Sequence, residues 1–246
     1  MKSFIVTGLL IAVLPVYAFS QSKLTKTYPV QNNQRIEFKF DYPKLIHISS
    51  WDKKEIEVNA SVNINNGAND SAFTLNETTV DGKITISNKI DLDKIPDSYY
   101  IMANGIKTKF SSKQDMDNYK RDKADNRNAV SYYQQKDIVV TIEIKVPANI
   151  STNLVSVYGM VELDNFNGPI KVDATYGGID ASLNESKIGE IKLTSRFGKI
   201  YSNLQLKPTV QTEQNFYTSI TASPGTGPAY DIKSSYGNIY LRKSPR

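Results

Sequence analysis

The chain has 246 residues and no cysteine, and its 30 Lys and Arg exceed its 25 Asp and Glu by five. Without cysteine, disulfides and thiolate metal sites are excluded, so stability has to come from core area and strand hydrogen bonding. The cations are interleaved with acids along the whole chain, which fits solubility and mild attraction to anionic surfaces rather than the gathered basic face of a nucleic-acid binder.

Residues 1–20 read as a signal peptide. Lys2 supplies a positive start, Phe4 to Val16 is apolar and uncharged, and Val16-Tyr17-Ala18 and Ala18-Phe19-Ser20 offer small residues for a signal peptidase. The run is shorter than the ~18–20 apolar residues of a membrane span. The expectation is an exported chain with no membrane span, placed in the periplasm or on the surface of a Gram-negative bacterium. Its mature part, 21–246, is expected to form a single domain.

From residue 35 to 64 the chain alternates with period two, as half-buried strands do: Ile36, Phe38 and Phe40, then Ile46 and Ile48, then Ile56, Val58, Ala60, Val62 and Ile64. Breaks fall at Asp41-Tyr42-Pro43 and Ser50-Trp51-Asp52-Lys53. Strands are predicted at Phe73–Leu75 and Ile84–Ile86 around the Asp81-Gly82 turn, and from Asp137 to Val146. Between them, 97–136 is rich in Tyr, Lys, Asp and Asn. It reads as a polar insertion, a solvated and partly disordered loop, with a polar helix over Ser111–Asp125 capped by Ser112 as the alternative.

After residue 156 one phrase recurs five times: a strand, an aromatic, usually a glycine, and another strand. The aromatics are Tyr158, Tyr176, Phe197, Phe216 and Tyr236, spaced 18, 21, 19 and 20 residues apart, and the glycines are Gly159, Gly177, Gly198 and Gly237. A period near 20 with strand-like units predicts stacked coils that bury a shared core. Read backward in steps of two, the rings fall in the apolar phase, as in Val172, Ala174, Tyr176. They are therefore expected as buried corner residues in a column, ordered as in the sequence, with the glycines taking φ > 0 at the corner. An exposed aromatic ladder for carbohydrate is the rival reading.

The segment Val139-Val140-Thr141-Ile142-Glu143-Ile144-Lys145-Val146-Pro147, with the glycine-punctuated strands after it, resembles the bacterial putative-adhesin β-strand repeat family of unknown function (the DUF4097-like group). Ile46-His47-Ile48-Ser49-Ser50-Trp51-Asp52-Lys53-Lys54-Glu55-Ile56-Glu57-Val58 resembles its strand–Trp-Asp–strand unit. The resemblance covers most of 27–95 and 137–246. It implies an all-β fold, a right-handed single-stranded β-helix-like stack of coils on an exported bacterial protein, and it brings no catalytic residues. The 97–136 insertion and the corner aromatics depart from the family's pattern.

Catalytic and metal constellations are not expected. His47 is the only histidine and alternates out of the apolar phase; no second histidine exists to complete a metal site, and a Ser-His-Asp triad would have to rest on His47 alone. No Gly-x-Ser-x-Gly elbow or phosphate-cradling loop occurs. Asp70-Ser71-Ala72 resembles a short periplasmic O-glycosylation tripeptide and makes Ser71 a candidate acceptor. The reading is an exported non-enzymatic envelope protein, an adhesin or interaction scaffold, with an envelope protein or glycan as partner and no cofactor or nucleic acid. A carbohydrate-active β-helix enzyme and a periplasmic partner of an envelope signalling or stress system are the alternatives. The final strand, Asn238–Arg242, is expected at an open edge where weak self-association can occur.

Overall fold

The computed structural model describes residues 21–31, 34–122 and 130–244, so the expected signal peptide lies outside the described residues. Alternation becomes strand where the sequence predicts it. The first part gives β1 (Ser22–Pro29), β2 (Arg35–Phe40), β3 (Leu45–Trp51) and β4 (Glu55–Ile64). The Asp81-Gly82 turn joins β5 (Phe73–Val80) to β6 (Lys83–Ile90), and both turn residues have positive φ, as a tight two-residue hairpin requires.

The 97–136 insertion is folded over its described part, contrary to the loop expectation. β7 (Ser98–Ala103), β8 (Ile106–Phe110) and β9 (Val130–Gln135) form a small antiparallel sheet, and α1 (Lys113–Asp122) packs beside it. The Ser112 hydroxyl accepts from the Asp115 N–H at 3.1 Å, which is the cap that the helical alternative called for. Met116 is the buried residue of the helix, and α1 meets the sheet through Tyr119 against Phe110, with ring centroids 5.3 Å apart, and through Lys120 over the Tyr132 ring at 4.3 Å. Tyr100 and Lys109 both donate to the Asp137 carboxylate and tie the small sheet to the scaffold.

The scaffold is two large sheets facing one another across a single core. β10 (Ile138–Pro147) is followed by strand pairs, one strand for each sheet: β11 (Thr152–Ser156) with β12 (Met160–Asp164), and β13 (Ile170–Ala174) with β14 (Ile179–Leu183). Next come β15 (Glu190–Ser195) with β16 (Ile200–Ser202), a hairpin of β17 (Pro208–Gln214) and β18 (Tyr217–Ala222), and β19 (Ala229–Ser234) with β20 (Ile239–Lys243). The first sheet runs β1-β4-β10-β3-β12-β14-β20-β16 and the second β17-β18-β15-β19-β13-β11-β2-β6-β5. Coils pair parallel and in register, and their inward residues, such as Val172, Ile179, Leu193, Ile232 and Ile239, are fully buried.

The all-β class holds, but the chain does not wind through the stack in sequence order. The last coil, β19–β20, lies between the second and third strand pairs, and the expected fourth coil is the β17–β18 hairpin. The observed order separates like charges. In sequence order Lys171 would sit directly beside Lys192, a destabilising like-charge pair. The observed order places Asp231 between them, and in the neighbouring row Lys233 meets Asp173 at 2.8 Å. The open C-terminal edge is likewise corrected: β20 is paired on both sides, by β14 and β16. At that end of the stack, buried Leu204 and partly buried Leu206 pack on the core beyond β16.

On the outer face of the second sheet, Glu37 accepts from Lys83 at 3.0 Å and pairs with Lys39 at 3.1 Å. Burial opposes its charge, but the two ammonium groups outweigh burial and lower its pKa from 4.5 to about 2. A depressed carboxyl contributes stability that is present above its unfolded pKa and lost as pH falls through the folded one. Denaturant midpoints should therefore fall between pH 4.5 and about 2. Glu37→Gln should flatten that limb, and an unchanged acid slope in the variant would show that the cluster contributes nothing.

Candidate functional site

The corner that follows each of the second-sheet strands β11, β13, β15 and β19 is built the same way. The last inward residue is small and buried: Ser156, Ala174, Ser195 or Ser234. The chain then bends, the period of two stops, and the aromatic two positions on swings outward. This corrects the buried-corner expectation: Tyr158, Tyr176, Phe197, Phe216 and Tyr236 are 47–75% exposed. At two of these corners the small residue's hydroxyl holds the bend. The Ser234 hydroxyl accepts from the Gly237 N–H and lies 2.9 Å from the carbonyl oxygens of Gly177 and Gly237, and the Ser156 hydroxyl donates to the Tyr158 carbonyl.

The rings form one column, in the order of the stack. Tyr42, from the turn between β2 and β3, stands first; Tyr158, Tyr176, Tyr236, Phe197 and Phe216 follow, with successive centroids 5.8, 5.2, 5.1, 4.9 and 5.7 Å apart. Sequence reasoning missed Tyr42 as a member because it has no glycine after it; its place two residues beyond the end of β2 was the available signal. Planes within the column tilt by 8–24° until the last pair, which opens to 31°. Each inner ring thus has both faces covered by neighbours and shows solvent its rim. The ladder spans five inter-strand steps, roughly 25 Å. Along its middle the flanking residues are uncharged: Val157, Thr175 and Ser235 on one side, Met160, Gly178 and Asn238 on the other.

Beside the rings runs a column of glycines, and close approach explains it. A β-carbon on Gly159 would lie 2.0 Å from the Pro43 carbonyl oxygen. On Gly177 it would lie 1.6 Å from that of Gly159, on Gly237 2.2 Å from that of Gly177, and on Gly198 2.0 Å from that of Gly237. Of these four only Gly159 has a left-handed backbone, with φ of 90°, so the φ > 0 expectation is corrected for the other three.

A second feature lies on the outer face of the first sheet. One register row crosses all eight strands as Thr25, Asn59, Glu143, His47, Glu162, Asp180, Tyr240 and Tyr201. Its first five residues line a shallow concavity of about 560 Å³. The acids have partners: Glu162 lies 3.5 Å from His47, Asp180 accepts from Arg242 at 2.7 and 2.9 Å, and Glu143 lies 3.7 Å from Lys145. Glu143 and Glu162 are nearly half exposed, 49% and 46%. No group of metal-ligating side chains forms among the described residues. Ser71 is exposed on a short 3-10 turn whose Asp70 carboxylate accepts from the Ile64 and Ser22 N–H groups.

No family model and no curated protein matches the chain. Among solved structures it is similar to a putative cell adhesion protein from Clostridium sporogenes, at 11% identity over 91% of this chain and 100% of that one, with a TM-score of 0.47. It is also similar to a putative adhesin from Bacteroides fragilis, at 11% identity over 90% and 98%, with a TM-score of 0.21. Likenesses at this level assign neither a family nor a role to this chain. Nearly all its regular structure is β, and among the described residues no helix is long and apolar enough to cross a membrane.

Two substitutions separate the glycines from the rings. Gly177→Ala forces backbone apart and should destabilise by about 3 kcal/mol or more. Lys171→Ala on the outer face should cost about 0.5 kcal/mol or less. A tolerated Gly177→Ala would show that the coils are not packed backbone to backbone.

Tyr176→Ala removes two ring contacts worth about 0.5–1.5 kcal/mol each from a half-exposed side chain, so its cost should lie near 1–3 kcal/mol. Ile232→Ala, in the core between the sheets, should cost about 2–5 kcal/mol. The same denaturant melts read both, and a Tyr176 effect as large as that of Ile232 would return the ring to the core.

Proposed function

We propose that this is an exported, non-enzymatic envelope protein that works as an adhesin-type interaction scaffold, engaging an envelope protein or glycan through the corner ladder. The observation that carries the reading is six adjacent aromatic rings, 41–75% exposed, aligned on a rigid two-sheet frame. Folded proteins rarely leave contiguous aromatic surface open without using it for contact. Stacking holds the rings in place in advance, so a partner would meet little side-chain entropy cost on binding. The paired, exposed carboxylates of the first sheet favour this reading over carbohydrate hydrolysis.

The test compares the mature chain with a Tyr158→Ser, Tyr176→Ser, Tyr236→Ser variant for binding to bacterial envelope fragments. The reading expects a loss of at least about tenfold in affinity, with the fold retained by circular dichroism. Unchanged binding would remove the ladder from the contact surface. New reducing ends released from envelope glycans would favour the enzyme alternative.

A further inference from the structure

We propose that the Phe197–Phe216 end of the ladder is a subsite for a uronic-acid residue of an acidic polysaccharide. The proposal rests on the interaction-scaffold reading and names a ligand for one part of it. Inside the column no ring has a free face, so a sugar cannot stack there. The last pair differs, because its planes open to 31° and Phe216 is 75% exposed, the most exposed of the large hydrophobic side chains described. Around the opening lies a cleft of about 280 Å³ lined by Arg196, Phe197, Gln214, Asn215, Phe216 and Tyr217.

Charge singles out the same place. The residue before the ring is Val157, Thr175 or Ser235 in the neighbouring coils, and only here is it a cation, Arg196. Its backbone N–H donates to the Ser234 carbonyl. Its exposed guanidinium has no ion pair or hydrogen bond recorded among the described residues, whereas Arg242 on the other sheet is bidentate to Asp180. A guanidinium fork beside an open phenyl face selects a ligand with a planar anion attached to a rigid apolar face. A hexuronate ring fits both: its C–H face lies on Phe216 and its carboxylate meets Arg196. Its hydroxyls then fall to the side-chain amides of Gln214 and Asn215, which donate and accept. A neutral sugar leaves the arginine unused, and an acidic peptide offers no rigid apolar face for the ring. The cleft is at the low end of small-molecule sites, which run ~300–1,000 Å³, so it suits one ring of a longer chain bound with millimolar affinity.

Calorimetric titration of the mature chain with tri-galacturonate and with neutral galactotriose, at low salt, tests this. Wild type should bind the uronate at millimolar concentration and the neutral trimer at least tenfold more weakly. Arg196→Gln should weaken the uronate tenfold or more and leave the neutral trimer unchanged, Phe216→Ala should weaken both, and Tyr176→Ala should change neither. Absence of uronate binding, equal binding by Arg196→Gln, or tighter binding of a tri-glutamate peptide that competes the uronate away would each overturn the proposal. If the ladder-middle variant loses envelope binding while tri-galacturonate fails to bind, the scaffold reading stands and the uronate subsite alone falls.

Discussion

Backbone meets backbone at the corner of this stack, and the rest of the structure follows from that contact. With a would-be β-carbon of Gly177 1.6 Å from the Gly159 carbonyl oxygen, no side chain fits between adjacent coils there. Glycine is required by the closeness of the next coil. The same approach sets the spacing of everything attached to the corner, so rings two residues beyond the strand ends are brought to centroid distances of 4.9–5.2 Å in the middle coils. The ladder is a consequence of coil packing, and its exposure a consequence of the bend that follows each second-sheet strand.

Order in the stack is set laterally. Parallel pairing in register puts outward side chains of neighbouring coils beside each other, so charges on one coil constrain which coil can lie next to it. With the C-terminal coil inserted between two earlier ones, Asp231 lies between Lys171 and Lys192, and Lys233 pairs with Asp173. That insertion also makes the ladder continuous, because Tyr236 bridges Tyr176 and Phe197. It also moves the C-terminal strand from an edge to the interior of a sheet.

Much of the scaffold was legible in the sequence, because a strand with one buried face shows its period directly, as 55–64 does. The ring positions and the glycines could be read from their spacing. The facing of the rings could not, since alternation predicts an inward phase only while the chain stays extended, and the bend after Ser156, Ala174, Ser195 and Ser234 resets it. The fourth repeat carried its own warning in Gln214 and the missing glycine after Phe216, both signs of a hairpin turn instead of a coil corner. The order of coils could have been suspected from Lys171 and Lys192, which cannot comfortably be neighbours. The insertion hid its fold because its contacts, such as Tyr100 on Tyr133 and Lys120 over Tyr132, join residues well separated in the chain.

Continuity of the ladder depends on the insertion of the last coil, which places Tyr236 between Tyr176 and Phe197. The chain has no cysteine, so engineered pairs report without background. Zero-length oxidation of Lys171→Cys/Asp231→Cys and of Asp231→Cys/Lys192→Cys should give efficient disulfides, while Lys171→Cys/Lys192→Cys, two strands apart, should give none under the same conditions. Rapid crosslinking of the Lys171 and Lys192 positions, with Asp231 reacting with neither, would contradict the stack order and with it the six-ring ladder.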